Sequence, residues 1–189
     1  MEQISQIIDR FSTLKVMVIG DLMIDAYTWG KVSRISPEAP VPVVNVIKKE
    51  SRLGGAGNVV LNVASLGAEP IVCSVVGDDA AGLELFAMLR AQGLSVDGLM
   101  TEQGRSTTVK ERVIAGSQQL LRIDSETDQA ITTESKNKLF AFIASQVAKV
   151  DIVIFEDYDK GVLSEDLIQS VIELAKSLSI LTVVDPKKK

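Results

Sequence analysis

Histidine is absent from this chain, and only one cysteine is present, Cys73. The absence of histidine excludes Ser-His-Asp and Cys-His nucleophilic mechanisms, as well as metal sites built from histidine ligands. Any general base must therefore be a carboxylate, a lysine, a tyrosine or the thiol. A single cysteine excludes an internal disulfide, and its position within an apolar run predicts that it packs in the core.

Long apolar runs and basic tracts are also missing. No stretch approaches the roughly 18 apolar residues of a membrane-spanning helix, and the N-terminus has no basic segment followed by an apolar one. The net charge of −5 at pH 7 argues against general affinity for nucleic acid. We therefore expect a soluble, cytoplasmic protein with no nucleic-acid or membrane partner.

The composition is that of a globular domain, because 46% of the 189 residues are hydrophobic. Apolar runs of strand length alternate with amphipathic runs of helical period, which predicts an α/β fold with a mainly parallel sheet covered by helices. The predicted strands are Val16–Ile19, Ile71–Val76, Val96–Met100, Ile152–Phe155 and Leu181–Val184. The predicted helices are Ile4–Phe11, Asn58–Leu66, Ala80–Gln92, Glu134–Val150 and Ser164–Leu178.

Two segments interrupt this alternation. Residues 27–49 carry three prolines among short β-type runs and cannot form a helix. Residues 105–124 contain two β-type runs joined at Gly116-Ser117, which suits a hairpin turn. We expect the two segments to be inserted in the α/β body as a small antiparallel sheet, a lid that covers a site. Ordinary surface hairpins are the alternative.

A glycine-rich stretch, Gly54-Gly55-Ala56-Gly57-Asn58, stands at the start of a predicted helix. A glycine pair lets the backbone approach a ligand that a Cβ would block, and the unpaired first amides of a helix favour anions or sugar oxygens. Asn58 adds an amide that suits a hydroxyl. A plain glycine turn with an Asn cap is the alternative. A dinucleotide fingerprint is disfavoured, because Val60 stands at its third glycine position.

Acidic residues follow several of the predicted strands, among them Asp21, Asp78, Asp157 and Asp185. Ligands of open parallel sheets bind beyond the carboxyl ends of the strands, so these acids are expected to converge on one cleft. Carboxylates suit sugar hydroxyls, because each accepts two or more charge-assisted hydrogen bonds. Asp79, by contrast, is expected to cap a helix.

A phosphorylated sugar would also need cations. Lys110 and Arg112 stand two residues apart on a predicted strand, and so point to the same face. Lys160 follows Asp157 by three residues. A charged face in contact with solvent is the alternative for each of these residues.

Several motifs together resemble the ribokinase-like (PfkB) family of carbohydrate kinases. They are Val18–Asp25, Gly54–Asn58 ahead of a helix that ends Ala64–Ala68, and Val76–Asp79 followed by Gly82. Three further stretches are similar to the heptose-7-phosphate kinases within that family: Ser33–Val43, Gln118–Asp124, and Asp157–Gly161 with the later Asp185-Pro186-Lys187. The Ser-Pro-Glu-Ala-Pro-Val-Pro run at 36–42 is the most specific of these, and the resemblance covers nearly the whole chain.

The resemblance implies a ribokinase-like three-layer sandwich with a β lid, which in this family often also builds a homodimer. It implies a kinase that uses ATP and Mg²⁺ to phosphorylate the anomeric hydroxyl of D-glycero-D-manno-heptose 7-phosphate, in the synthesis of ADP-heptose and lipopolysaccharide core. Sugar hydroxyls would be held by Asp21, Asp25, Gly54, Gly55 and Asn58. The phosphates would be approached by Lys110, Arg112 and Lys160, while Asp157 orients the cleft and Asp185 and Lys187 face ATP.

The resemblance also implies that the catalytic base and the anion hole of the family lie beyond residue 189. We therefore expect these 189 residues to be the N-terminal portion of a kinase and to show negligible turnover by themselves. No protein metal ligand is assigned in this chain. Two alternatives stay open, namely another ribokinase-like sugar or nucleoside kinase, and a non-catalytic module that binds sugar or dimerises.

Overall fold

The computed structural model describes residues 9–187. Its strands, in chain order, are β1 (Lys15–Gly20), β2 (Leu22–Ile35), β3 (Pro42–Gly55), β4 (Glu69–Gly77), β5 (Leu99–Glu102), β6 (Thr108–Ala115), β7 (Gln118–Ser125), β8 (Ile152–Glu156) and β9 (Leu181–Asp185). Its helices are α1 (Ala56–Ser65), α2 (Ala80–Ala91), α3 (Thr133–Gln146) and α4 (Glu165–Ser177), and a 3₁₀ turn, Val147–Lys149, follows α3. The predicted helix Ile4–Phe11 lies mostly outside the described residues, of which 9–11 are helical.

The larger sheet has five parallel strands in the order β5-β4-β1-β8-β9. Side chains of the central strand, β1, alternate between two cores. Met17 and Ile19 pack with apolar residues of α3 and α4, whereas Val16 and Val18 pack with those of α1 and α2. The sheet thus lies between two pairs of helices, which confirms the predicted three-layer α/β architecture.

Most predicted boundaries lie close to those observed, and β5 differs most. The strand expected at Val96–Met100 begins only at Leu99, because Ser95 and Asp97 form a turn in which the Ser95 hydroxyl contacts both the amide and the carboxylate of Asp97. Helix α1 begins at Ala56, ahead of its predicted start. The predicted helix Glu134–Val150 stops at Gln146, where the 3₁₀ turn takes over.

The smaller sheet, called the lid below, has four strands in the order β3-β2-β6-β7. Strands β2 and β3 pair antiparallel, as do β6 and β7, which turn at Gly116-Ser117 as predicted. Strands β2 and β6 pair parallel, so the expectation of an antiparallel sheet is wrong and the lid is mixed. Both strands enter the lid from the carboxyl edge of the larger sheet, after β1 and β5, and therefore run in the same direction. The division into a body and inserted segments 27–49 and 105–124 stays a prediction.

Local signals in the sequence are confirmed at several points. The Asp79 carboxylate caps α2 by accepting a 2.8 Å hydrogen bond from the Gly82 amide. Gly93, just after α2, has a φ of 73°, as a helix-ending glycine should. Cys73 is fully buried in the core, and this burial raises the pKa of its thiol. Among the described residues, no helix combines the length and the apolar character needed to cross a membrane.

Candidate functional site

Three of the acids expected to converge lie together at the carboxyl edge of the larger sheet. Asp21 follows β1, Asp157 follows β8, and Asp185 ends β9. The Asp157 amide donates a hydrogen bond to the Asp185 carbonyl oxygen over 3.1 Å. The two acids after β4 have structural roles instead. Asp79 caps α2, and the Asp78 carboxylate accepts a hydrogen bond from the Gly104 amide.

Asp21 is the most buried of these acids, with 1% of its surface exposed. Its Oδ2 accepts hydrogen bonds from the amides of Tyr158 (2.9 Å) and Lys160 (3.1 Å), and its Oδ1 accepts one from the Val162 amide (3.1 Å). Burial raises the pKa of the Asp21 carboxyl, these hydrogen bonds oppose the shift, and the charge of Asp157 adds to it. Asp21 therefore holds the loop after β8 in place, while its contact with sugar hydroxyls stays a prediction.

The glycine pair lies where β3 ends and α1 begins, packed against the start of β2. A Cβ on Gly54 would lie 2.5 Å from Asp25 Oδ2, and one on Gly55 would lie 2.3 Å from the Asp21 carbonyl oxygen. Gly55 also has a φ of 56°, which side chains other than glycine adopt only with strain. The Ala56 amide donates to the same Asp21 carbonyl over 3.0 Å, so the expectation of unpaired first amides is wrong for Ala56. The chain itself fills the space that the two glycines leave.

Asn58 lies on the first turn of α1 with its surface exposed. It lines an open depression of about 390 Å³ together with residues of β3 and α2, among them Arg52 and Met88. Asp21 and Lys160 line a different and smaller depression. The structure thus places Asn58 apart from those two residues, and its role in holding the sugar stays a prediction.

Arg112 of β6 reaches across to Asp25 of β2. Its Nη1 lies 2.6 Å from Asp25 Oδ1, and the two side chains are about one quarter exposed (24% and 25%). The guanidinium also lies over the Tyr27 ring, 5.3 Å from the ring centroid. The hydrogen bond to Asp25 raises the pKa of Arg112, which keeps this cation charged. A cation and a carboxylate are thereby held side by side at the base of the lid, next to Gly54.

Lys110 and Lys160 are held by one shared carboxylate, that of Glu126. Glu126 Oε2 lies 2.7 Å from Lys110 Nζ, and Oε1 lies 2.8 Å from Lys160 Nζ. Lys110 Nζ also lies 3.3 Å from Asp124 Oδ2. Hydrogen bonds from Lys110 and then Lys160 lower the pKa of Glu126. The structure thus brings together two lysines that are distant in the sequence.

Two further residues of this region, Glu126 and Arg105, were not predicted from the sequence. Glu126 had a weak signal, because it follows Asp124 by two residues, which is the spacing of side chains on one face of an extended chain. Arg105 had none, since its partners come from separate segments. Its side chain is 5% exposed, lies 3.4 Å from Glu102, and donates to the carbonyl oxygens of Gln129 (3.1 Å) and Lys160. Arg105 therefore holds the Lys160 backbone in place through a hydrogen bond to its carbonyl oxygen.

Asp185 and Lys187 border the loop after β8. Glu156 at the end of β8 stands in register with Asp185 on β9. Burial, and then the charge of Asp185, raise the pKa of Glu156. Lys187 Nζ donates to the Tyr158 carbonyl oxygen over 3.2 Å. Within residues 9–187, no group of three or more carboxylates or thiols is arranged to hold a metal ion.

The sequence of this chain is similar to those of known carbohydrate kinases and their relatives. The sequence profile described as "pfkB family carbohydrate kinase" matches residues 13–189. A relative titled "Bifunctional protein HldE", from Desulfatibacillum aliphaticivorans, is 48% identical over 180 residues, which cover 95% of this chain and 37% of that protein. A protein of the same title from Pelobacter propionicus is 44% identical over 186 residues, covering 98% of this chain and 38% of that protein. The chain spans little more than a third of these curated relatives.

Solved structures share the architecture at low sequence identity. Phosphofructokinase-2 from Escherichia coli, in its tetrameric inhibited form, superimposes with a TM-score of 0.62 at 17% identity, over 92% of this chain and 55% of that one. A Thermotoga maritima protein described as a possible 1-phosphofructokinase gives a TM-score of 0.67 at 16% identity, over 92% of this chain and 54% of that one. At such identities the likeness is one of fold alone.

Proposed function

Since this chain belongs to the pfkB family of carbohydrate kinases, we propose that the protein is an ATP-dependent kinase for the anomeric hydroxyl of D-glycero-D-manno-heptose 7-phosphate, in ADP-heptose and lipopolysaccharide core synthesis. The supporting observation is the gathering of Lys110, Arg112 and Lys160 close to Asp25 and the carboxyl edge of the larger sheet. A phosphorylated sugar needs such a mixture, because cations bind its phosphate and carboxylates bind its hydroxyls. The choice of heptose follows from the sequence motifs, and the relatives titled HldE add support.

At the sugar end, Asp25 is the acceptor that we assign to the hydroxyls. One of its oxygens is bound by Arg112, and the other lies against the backbone of Gly54, with the side chain 25% exposed. Asp21 would act with it through the loop after β8, which it holds by three backbone hydrogen bonds. Asp157, at the start of that loop, would orient the cleft. Positioning of this kind is a main source of rate enhancement in phosphoryl transfer.

At the phosphate end, we assign Lys110, Arg112 and Lys160 to the anionic groups of the substrates. Two of these cations come from the lid and one from the loop after β8, so a phosphate bound between them would draw the lid onto the body. Closure of the lid would exclude water and strengthen each charge interaction in the cleft. The lid thereby couples binding of the sugar phosphate to formation of the site.

On the nucleotide side, we assign Asp185 and Lys187 to ATP. Mg²⁺ is usually held by one or two carboxylates together with the phosphates of the substrate, so it needs no protein cage. Glu156 and Asp185, adjacent at the ends of β8 and β9, fit that requirement. These two carboxylates would hold the ion, which would supply positive charge to offset the charge that develops on the transferred phosphoryl group.

The lid also supports a homodimer of a cytoplasmic protein. Its large apolar side chains with exposed fractions between 41% and 66% are Val32, Ile35, Val46, Ile47, Leu121 and Ile123. Large exposed apolar patches mark interaction sites, and we take these six side chains to form one such patch. A second copy of the same lid would present a matching apolar surface, as a two-fold symmetric interface requires.

Calorimetric titration tests the substrate assignment. The chain is titrated with D-glycero-D-manno-heptose 7-phosphate, and then with fructose 6-phosphate and adenosine as competitors. We expect selective binding of the heptose phosphate. Preference for fructose 6-phosphate or adenosine would instead support another sugar or nucleoside kinase, and absence of binding to all three would overturn the proposed substrate.

A further inference from the structure

Each cation of the cleft already has a carboxylate partner in this structure. Arg112 is paired with Asp25, while Lys110 and Lys160 share Glu126. A phosphate that binds these lysines must either displace a carboxylate or remain close to it against charge repulsion. The affinity for an anionic ligand is therefore set partly by how readily one of these carboxylates leaves.

Two of the carboxylates are held from more than one side. Asp25 is bound by Arg112 and lies against Gly54. Asp124 receives two hydrogen bonds from Arg122, both of 2.9 Å, in addition to its contact with Lys110. Displacing Asp124 would break its contacts with Arg122, and displacing Asp25 would move a side chain that packs against the Gly54 backbone.

Glu126 is different. It follows the last residue of β7 and lies outside the regular strand. Within the described part of the chain, its side chain has no hydrogen bond or ion pair besides those to Lys110 and Lys160. Release of Glu126 from the two lysines therefore leaves the rest of the cluster intact.

The geometry of the Glu126 contacts is also the geometry that a phosphate requires. Each carboxylate oxygen faces one ammonium group, at 2.7 Å for Lys110 and 2.8 Å for Lys160. The lysine side chains are only 17% and 11% exposed, so their charged ends are held in place rather than free in solvent. Two oxygens of one phosphate could take over both contacts.

We propose that Glu126 competes, within the molecule, for the anion subsite formed by Lys110 and Lys160, and so lowers the affinity of that subsite for phosphate. A phosphate dianion carries more charge than the carboxylate and can displace it, whereas a neutral sugar does not. Glu126 thereby sets the concentration of phosphorylated sugar at which the subsite fills, and keeps both lysines paired when no anion is bound. This inference rests on the proposed function, because it takes these lysines to be the phosphate ligands.

Titration with inorganic phosphate, followed by calorimetry or NMR, tests the competition directly. We expect Glu126→Gln and Glu126→Ala to bind phosphate about tenfold more tightly than the original protein, since both remove a competing negative charge. The matched control is Glu134→Gln, because Glu134 makes a 2.7 Å ion pair with Lys138 on an exposed turn of α3. This control should leave phosphate affinity unchanged, and thermal unfolding verifies that every variant is folded.

Phosphate affinity that is unchanged or weaker in both Glu126 variants would overturn the inference, as would the absence of phosphate binding in every form. A Lys110→Met variant separates this failure from failure of the proposed function. If Lys110→Met weakens binding of heptose 7-phosphate while the Glu126 variants change nothing, the phosphate assignment stands and the competition is wrong. If Lys110→Met leaves binding of heptose 7-phosphate unchanged, both the phosphate assignment and the competition by Glu126 are wrong.

Discussion

Asp25 and Arg112 lie on adjacent parallel strands of the lid and form an ion pair of 2.6 Å that runs diagonally across them. In the strand register Arg112 stands opposite Tyr27, and its guanidinium crosses over that ring to reach Asp25. The ring and the carboxylate together fix the direction of the arginine. The carboxylate that we assign to sugar hydroxyls and the cation that we assign to phosphate therefore position each other.

The variant Asp25→Asn tests this pair. An amide keeps the shape of the side chain but loses the charge that strengthens hydrogen bonds to sugar hydroxyls and to Arg112. We expect calorimetry to show heptose 7-phosphate binding weakened about tenfold or more, while urea unfolding shows a loss of no more than about 1 kcal/mol for a partly exposed pair. Glu69→Gln, in an exposed pair with Lys15, is the control that should bind normally. Equal affinities for Asp25→Asn and the control would contradict the role of Asp25.

The variant Gly55→Ala tests whether the glycine pair is required by the fold. Its Cβ would meet the Asp21 carbonyl oxygen at 2.3 Å, in addition to the strain of a φ of 56°. Gly104→Ala is a matched control, since Gly104 has a φ of 72° with nothing within 4 Å of the added Cβ. We expect the control to lose about 1–2 kcal/mol from the positive φ alone. Gly55→Ala should lose about 1–3 kcal/mol more in urea unfolding, because of the steric overlap and because its ψ of −133° lies outside the left-handed helical region. Similar losses in the two variants would show that the contact with Asp21 relaxes freely.

The raised pKa of Asp21 predicts a characteristic pH dependence. The native state holds the Asp21 proton more tightly than the unfolded chain, whose carboxyl titrates near the ordinary value of 3.8. The stability that this proton contributes is complete below 3.8 and is lost as the pH rises through the raised native pKa. The free energy of unfolding of the original protein, relative to Asp21→Asn, should therefore decrease as the pH rises above 4 and then level off.

Asp166→Asn is the control of opposite sign. Hydrogen bonds from Lys136 and then Ser164 lower the pKa of Asp166 to about 2. Its contribution to stability is present above 3.8 and is lost as the pH falls through about 2. Urea unfolding between pH 2 and pH 7 measures both differences. If the difference in unfolding free energy between the original protein and Asp21→Asn changed with pH in the same direction as that for Asp166→Asn, burial would not be the dominant influence on the pKa of Asp21.

The apolar surface of the lid predicts a dimer that one charge can disrupt. Leu121→Lys places an ammonium group in the proposed interface, and we expect it to shift sedimentation velocity profiles from dimer to monomer. Leu83→Lys is the matched control, because Leu83 is 71% exposed on α2, outside the lid. If Leu121→Lys remains a dimer, or if the original protein is already a monomer, the apolar surface of the lid is not the dimer interface.

Much of the fold could be predicted, because its signals are local. The alternation of apolar runs predicted the helices and the parallel strands, since periodicity reflects which side of an element is buried. The Asp79 cap could be predicted because its partner, Gly82, lies in the next turn. The start of β5 could not, because the turn at Ser95 and Asp97 competes locally with the strand pattern.

The candidate site was predicted in its residue types more than in its arrangement. Lys110, Arg112 and Lys160 were recognised as cations near a cleft, but their partners were not. Asp21 binds amides more than 130 residues away in the chain, at sequence separations of 137, 139 and 141. Such contacts leave no periodic signal, so sequence patterns do not reveal them.

The amino-acid sequence by itself determined the alternation of strands and helices, the glycine pair at the start of α1, the caps, and the motifs of a carbohydrate kinase family, because each of these depends on neighbouring residues. Only the tertiary structure decided that β2 and β6 run parallel, that Gly54 and Gly55 pack against Asp25 and Asp21, and that Glu126 joins Lys110 to Lys160. These relationships depend on how the lid is positioned at the carboxyl edge of the larger sheet. This position is set by packing between segments that are far apart in the chain.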